Sequence, residues 1–191
     1  GSSHTCALLD DGSVKCWGRN NYGQLGYGDT SNRGDGSNEM GAKLPAVDLG
    51  AGRTALSVTA GVSHTCALLD DATVKCWGYN GDGQLGYGDT TDRRDGSEEE
   101  GAILPAVDLG ENRTAVSVSA SYRHTATVKC WGVSNRGDGT NEMGANLPAV
   151  DLGTGRIALS VSSGNDHTCA LLDGATVKCW GSNNNGQLGY G

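Results

Sequence analysis

Cys6-Ala7-Leu8-Leu9-Asp10-Asp11-Gly12-Ser13-Val14-Lys15-Cys16-Trp17-Gly18 decides the fold. Apolar Ala7, Leu8 and Leu9 run into the turn formers Asp10, Asp11 and Gly12, and Val14 to Trp17 run out again as strand formers. Asp-Gly at the tip supplies the positive φ of a tight hairpin. Cys6 and Cys16 lie at equal distances from that tip, so they face each other across the ladder, where Cβ atoms approach disulfide distance. The stretch returns as Cys66 to Gly78 and as Cys169 to Gly181, with a shortened relic at Ala126 to Gly132. The spacing therefore predicts disulfides Cys6–Cys16, Cys66–Cys76 and Cys169–Cys179, and leaves Cys130 without a partner.

Around the hairpin the whole chain repeats. His4, His64 and His124 recur at intervals of 60 residues, and His167 follows after 43. The units run approximately 1–60, 61–120, 121–163 (shortened) and 164–191 (partial), one array over 1–191. Within a unit, Leu44 to Leu49 is expected as a short strand opened by Pro45, and Ala55 to Ala60 as a second. His64 to Leu69 and Val74 to Trp77 supply the third and fourth. Gly-rich connections and the lack of any sustained 3.6 period leave no room for helices. Short strands in fours at a period of tens of residues predict an all-β propeller, about three to four blades of a partial or larger ring.

The third unit departs from the pattern. His124-Thr125 runs straight into Ala126-Thr127, omitting the Cys-Ala-Leu-Leu-Asp-Asp of the other units, and Gly132-Val133-Ser134 runs straight into Asn135. Losses this clean are expected more from incompletely determined sequence than from natural deletion. Either way, a blade short of a strand has an exposed edge. The array begins and ends in mid-unit, from which the sequence predicts a native object larger than this chain: a longer polypeptide, a closed ring of copies or an extracellular filament.

Composition narrows the class. Net charge is −8, against the basic footprint that a nucleic-acid backbone or an anionic membrane requires. No stretch approaches the roughly 18 apolar residues of a membrane helix. Six cysteines in three identically spaced pairs indicate an oxidising compartment, extracellular or at the cell surface.

Ala60-Gly61-Val62-Ser63-His64-Thr65, Val74-Lys75-Cys76-Trp77-Gly78-Tyr79-Asn80 and Gly83-Gln84-Leu85-Gly86-Tyr87-Gly88 together resemble the repeat of the regulator-of-chromosome-condensation family. The resemblance extends over essentially the whole chain. It implies a β-propeller, commonly of seven blades, one four-stranded blade per repeat. The founding member acts as a nucleotide-exchange factor for a small GTPase; relatives serve as light sensors, ligase modules or extracellular repeats, so fold does not give function. This chain departs from the founding type in its blade number, its paired cysteines and the long Asp-Leu-Gly insert after each Gly-Gln-Leu-Gly turn.

Candidate chemistry is sparse. His4, His64, His124 and His167 share one repeat position, one per blade, and are expected to fix turns by bonding backbone rather than to bind metal. Trp17, Trp77, Trp131 and Trp180 are expected as core between blades. Arg33-Gly34-Asp35 and Arg136-Gly137-Asp138 match an adhesion tripeptide but sit in turn-rich loops, and unit two carries Arg93-Arg94-Asp95. Asp29 to Met40 is acidic, yet its spacing fails the EF-hand pattern, leaving calcium as a weak cofactor candidate; no other cofactor is expected, and Glu98-Glu99-Glu100 reads as a solvated loop. Asn112-Arg113-Thr114 is a glycosylation sequon, making Asn112 a possible acceptor. No nucleophile–base pair stands apart from the repeat, so no enzyme is expected. The leading expectation is a secreted or surface scaffold that associates with copies of itself or with the rest of a longer chain. The alternative is a protein-binding regulator such as a small-GTPase exchange factor.

Overall fold

The computed structural model describes residues 1–94, 104–127, 129–132, 143 and 146–190, and of Trp131 the backbone alone. Glu98 to Glu100, Asp95 and the second tripeptide, Arg136 to Asp138, lie outside the described residues.

Among the described residues, eleven strands form four antiparallel sheets in chain order. The first sheet pairs β1 (His4–Leu8) with β2 (Val14–Gly18). The second orders β3 (Ala55–Ala60), β4 (His64–Leu69) and β5 (Val74–Gly78). The third holds the short strands β6 (Ser119–Ala120), β7 (His124–Ala126) and β8 (Cys130–Gly132). The fourth repeats the second with β9 (Ala158–Ser163), β10 (His167–Leu172) and β11 (Val177–Gly181). Among the described residues the one helical turn is a 3-10 segment at Gly41–Lys43.

Neighbouring sheets pack as blades. A core of Val14, Leu25, Val47, Ala55, Leu69 and Trp77 fills the seam between the first two, and one built on Leu68, Val74, Leu85, Val107, Ala115 and Val118 fills the next. Equivalent turns of all four units (Gly1-Ser2, Ala60 to Val62, Ser121-Tyr122 and Ser163 to Asn165) line one shallow opening, as blades fanned about an axis require.

The Leu44 to Leu49 segment corrects the sequence reading. It is extended but forms no ladder; its sheet contact is one bond, Val47 N–H to the Val14 carbonyl at 2.7 Å. The outer edge of β2 is met first by Arg33, which exchanges both main-chain bonds with Gly18. The chain then leaves the sheet and returns at Val47. The insert thus splits the fourth strand of the blade in two, and Pro45, which has no N–H, cannot extend its second half. Unit two repeats the device with Arg93 on Gly78 and Val107 on Val74.

The hairpin tips show a second departure. Gly12 supplies the left-handed residue in unit one (φ 78°), but units two and four place Ala72 (φ 62°) and Ala175 (φ 55°) there. Carboxylate caps support the first two tips: Asp11 accepts from the Ser13 N–H and Asp71 from the Thr73 N–H and hydroxyl, whereas unit four has Gly174 at that position.

Candidate functional site

The hairpins carry the repeated side chains. Cys6 faces Cys16, Cys66 faces Cys76 and Cys169 faces Cys179 in the registers of their ladders, and each pair is disulfide-bonded with Cα atoms 4.1 Å apart. A tyrosine hydroxyl braces each outgoing cysteine from outside. Tyr27 accepts from the Cys16 N–H and donates to its carbonyl; Tyr87 serves Cys76 and Tyr190 serves Cys179 alike.

The histidines close the seams. His4 Nε2 lies 2.9 Å from the hydroxyl of Thr65, one blade on. The Thr65 hydroxyl donates in turn to the Gln24 carbonyl at 2.8 Å, back in the first unit. A hydroxyl that donates its one proton must accept from its other neighbour, so His4 carries its proton on Nε2. The second lone pair of the Gln24 carbonyl accepts from Trp77 Nε1 at 3.0 Å. Gln24 lies in the Gly-Gln-Leu-Gly turn, which Asn20 holds by accepting from the Leu25 N–H and donating to the Asp29 carbonyl. The next seam repeats the clasp with His64, Thr125 and the Gln84 carbonyl. For His4, His64 and His124 this corrects the expectation of a bond to backbone: Nε2 of each meets a threonine hydroxyl of the following blade.

The imidazoles of His4, His64 and His167 also pack closely against the glycine three residues before them. A Cβ on Gly61 would stand 2.1 Å from His64 Cε1, and Gly1 and Gly164 are as tight. Unit three has Ser121 at this position, and its hydroxyl meets His124 Nδ1 at 2.7 Å while Nε2 still reaches Thr168. Nδ1 of His4 and of His64 is buried without a partner among the described residues. Burial drives both rings toward the neutral form, His64 down to about 3 and His4 to about 4; the fields of neighbouring positive groups add to it, and burial lowers His124 too. These clasps are therefore made of neutral imidazoles at pH 7.

This geometry, repeated at fixed spacing, matches a known repeat: the regulator of chromosome condensation (RCC1) repeat, at residues 1–24, 56–84 and 159–187. The chain carries RCC1 repeats over these residues. It is 34% identical to the ultraviolet-B receptor UVR8 of Arabidopsis thaliana over 134 residues, 69% of this chain and 26% of that protein. It is 30% identical to the RCC2 homolog of Danio rerio over 132 residues, 69% of this chain and 23% of that protein. The chain thus spans about a quarter of the length of these relatives. Among solved structures, human WBSCR16 superposes with a TM-score of 0.71 and Prp20p of Saccharomyces cerevisiae with 0.69. Both are 20% identical over all of this chain and under half of theirs (48% and 45%), a likeness of fold alone.

Other residues singled out by sequence sit at the edges of these RCC1 blades. Trp77 is 4% exposed and packs against Gly26 and Val47 of the preceding blade, whereas Trp17 and Trp180 are half-buried. Trp180 Nε1 points to Cys130 Sγ at 3.3 Å, because unit three lacks the Gly-Gln-Leu-Gly carbonyl that Trp77 uses. Burial pushes the Cys130 thiol up. His167 is half-buried, with no threonine hydroxyl of a following blade against it among the described residues. Asn112 is exposed at a left-handed turn position (φ 56°) where units one and four have glycine. Arg33 of the first tripeptide is engaged: its guanidinium pairs with Asp29 at 2.5 Å and lies over the Tyr27 ring. Glu39, in the acidic loop, accepts from the Gly34 and Gly36 N–H groups, and Asp29 accepts from Ser31 N–H and Asn20. Among the described residues, no three His, Cys, Asp or Glu side chains group to hold a metal ion, and no helix is long and apolar enough to cross a membrane.

Sequence reasoning missed the partners of the histidines. Thr65, Thr125 and Thr168 each follow a His directly, and Gln24 and Gln84 recur with them, so the signal was the repeat spacing of a hydroxyl beside each imidazole.

Proposed function

We propose that this chain is a non-catalytic, protein-binding scaffold of RCC1 blades, working in an oxidising setting outside the cell or at its surface. The observation that carries the reading is where the repeated polar chemistry goes. His4, His64 and His124 spend Nε2 on threonine hydroxyls of the next blade, and six of seven cysteines staple hairpins. Side chains buried in the seams and committed through Nε2 to the next blade are poorly placed to act on a substrate. The disulfides favour an oxidising compartment. In the last blade Ile157, Leu159, Val177 and Tyr190 are more than half exposed, and further blades, from a longer chain or from another copy, would cover them. On this reading His64→Ala loosens its seam and changes binding only through stability. A peptide map of native protein without reductant tests the setting: three linked hairpins and one free thiol support it, and seven free thiols overturn it.

A second reading has the comparisons behind it. Relatives include a GTPase regulator of Mus musculus, 37% identical over 89 residues, and Prp20p, alike in fold, has binding properties toward Gsp1p and histones. Acceleration of nucleotide release from a small GTPase by the oxidised chain would favour an exchange factor over a scaffold.

A further inference from the structure

The missing arm of the third hairpin leaves a shaped vacancy, and the intact blades show what belongs in it. In the second blade, Leu68 and Leu69 of β4 pair with Ser57 and Ala55 of β3. Leu69 is 1% exposed in the core that includes Leu49 and Ala55. The two aspartates that follow pair with Arg53: Asp70 at 3.4 Å and Asp71 at 3.0 Å. The Asp70 N–H also donates to the Thr54 carbonyl. The fourth blade repeats the pattern, with Arg156 on Asp173 and the Asp173 N–H on the Ile157 carbonyl.

In the third blade the receiving half is present and the inserted half is absent. Leu109, Arg113, Thr114 and Ala115 stand where Leu49, Arg53, Thr54 and Ala55 stand one unit earlier. No Leu-Leu-Asp-Asp follows Thr125. A cavity of about 500 Å³ occupies the place, lined by the apolar Leu109, Ala115 and Leu147, by the cations Arg113 and Lys129 and by the carboxylate of Glu111. That is room for a few side chains. Arg113 is exposed and makes no ion pair among the described residues. The strand facing the gap is cut back to Ser119–Ala120, so residues 116–118 have no ladder partner among the described residues.

We propose that this notch binds an extended segment of a partner protein in which two leucines are followed by aspartate, added as a strand along residues 114–118. Main-chain bonds to the open edge give affinity, as in other cases of strand addition. The apolar floor takes a leucine in the place Leu69 fills one blade earlier. Arg113 takes the carboxylate, as Arg53 takes Asp70 and Asp71. Arg113, which has no ion-pair partner among the described residues, favours an acidic ligand over a basic one at its end of the notch. The proposal deepens the protein-binding reading and rests on it; its failure removes this address and leaves the thiol-map test of that reading untouched.

The probe is a labelled peptide, Thr-Ser-Ala-Leu-Leu-Asp-Asp-Gly, the missing arm with serine for cysteine. Fluorescence anisotropy with the oxidised chain should show saturable binding. Changing both peptide aspartates to asparagine, or Arg113→Ala in the protein, should each weaken it roughly tenfold. Arg19→Ala, at an exposed arginine of the first blade, should leave it unchanged. Restoring Cys-Ala-Leu-Leu-Asp-Asp between Thr125 and Ala126 should abolish binding, because the chain then fills its own notch. Absence of saturation at millimolar peptide, insensitivity to Arg113→Ala, or full binding by the restored chain would each overturn the proposal.

Discussion

The second and fourth blades are nearly the same sequence in different company. His64-Thr-Cys-Ala-Leu-Leu and Val74-Lys-Cys-Trp-Gly recur without change as His167 to Leu172 and Val177 to Gly181. Both form the same three-stranded sheet in the same register. Yet Val74 is 0% exposed and Val177 is 62% exposed, and Trp77 is buried where Trp180 is half-buried. Val107 covers Val74 with a main-chain bond, and Val177 has no such cover. The Thr125 hydroxyl accepts a hydrogen bond from His64 and donates one to the Gln84 carbonyl; the Thr168 hydroxyl meets His124 with no Gln carbonyl behind it. The strands of a blade are thus specified locally, whereas its core is supplied by its neighbours, as expected for repeat arrays.

The tryptophans should separate the two blades most. Trp77→Ala removes a buried ring and its bond to Gln24, at a cost of about 3–5 kcal/mol. Trp180→Ala should cost about half of that or less. Urea unfolding of the two variants measures the difference, and equal costs would break the comparison. Disulfide removal should not separate the blades. Replacing Cys66 and Cys76, or Cys169 and Cys179, by serine opens loops of the same length, and chain entropy assigns each about 2–3 kcal/mol. A much larger loss in the second blade would show that packing around the buried sulfurs, rather than the unfolded chain, sets their worth.

The clasp comes next. His64→Ala strips the Thr125 hydroxyl of its donor within a dry seam and should cost about 1–3 kcal/mol; His167→Ala, with no seam to close, should cost under about 1 kcal/mol. The pH dependence has a definite sign. The folded-state values of His64 (about 3) and His4 (about 4) lie below the unfolded value near 6.5, so the unfolded chain takes up these protons first on acidification. Stability from this source is complete above about pH 6.5. It falls as pH drops toward 4 and then 3. Replacing His64 should flatten that decline in a pH series of melting temperatures; an unchanged slope would place the acid sensitivity elsewhere. The smallest effect belongs to Val177→Thr, expected within about 0.5 kcal/mol, while Val74→Thr buries a hydroxyl and should cost about 1–2 kcal/mol.

The sequence made the hairpins legible because their register follows from local symmetry: Cys6 and Cys16 count equally from Asp11, and turn chemistry does the rest. The seams were not legible in that way. His4 and Thr65 are 61 residues apart, and only the curvature of the array brings them within 2.9 Å. The split fourth strand was hidden because Leu44 to Leu49 has strand-like composition, while its pairing depends on an insert whose length no local pattern reveals. The notch at Arg113 was visible as a missing stretch, but its lining by Leu109 and Leu147 required the fold.

Hydrogen exchange of the 19.6 kDa species, oxidised and verified as monomeric, tests most directly the claim that a blade takes its core from its neighbours. Amides of β4 and β5 should be protected about a hundredfold more than those of β10 and β11, despite near-identical sequence. Equal protection of the two blades in that monomer would contradict the account.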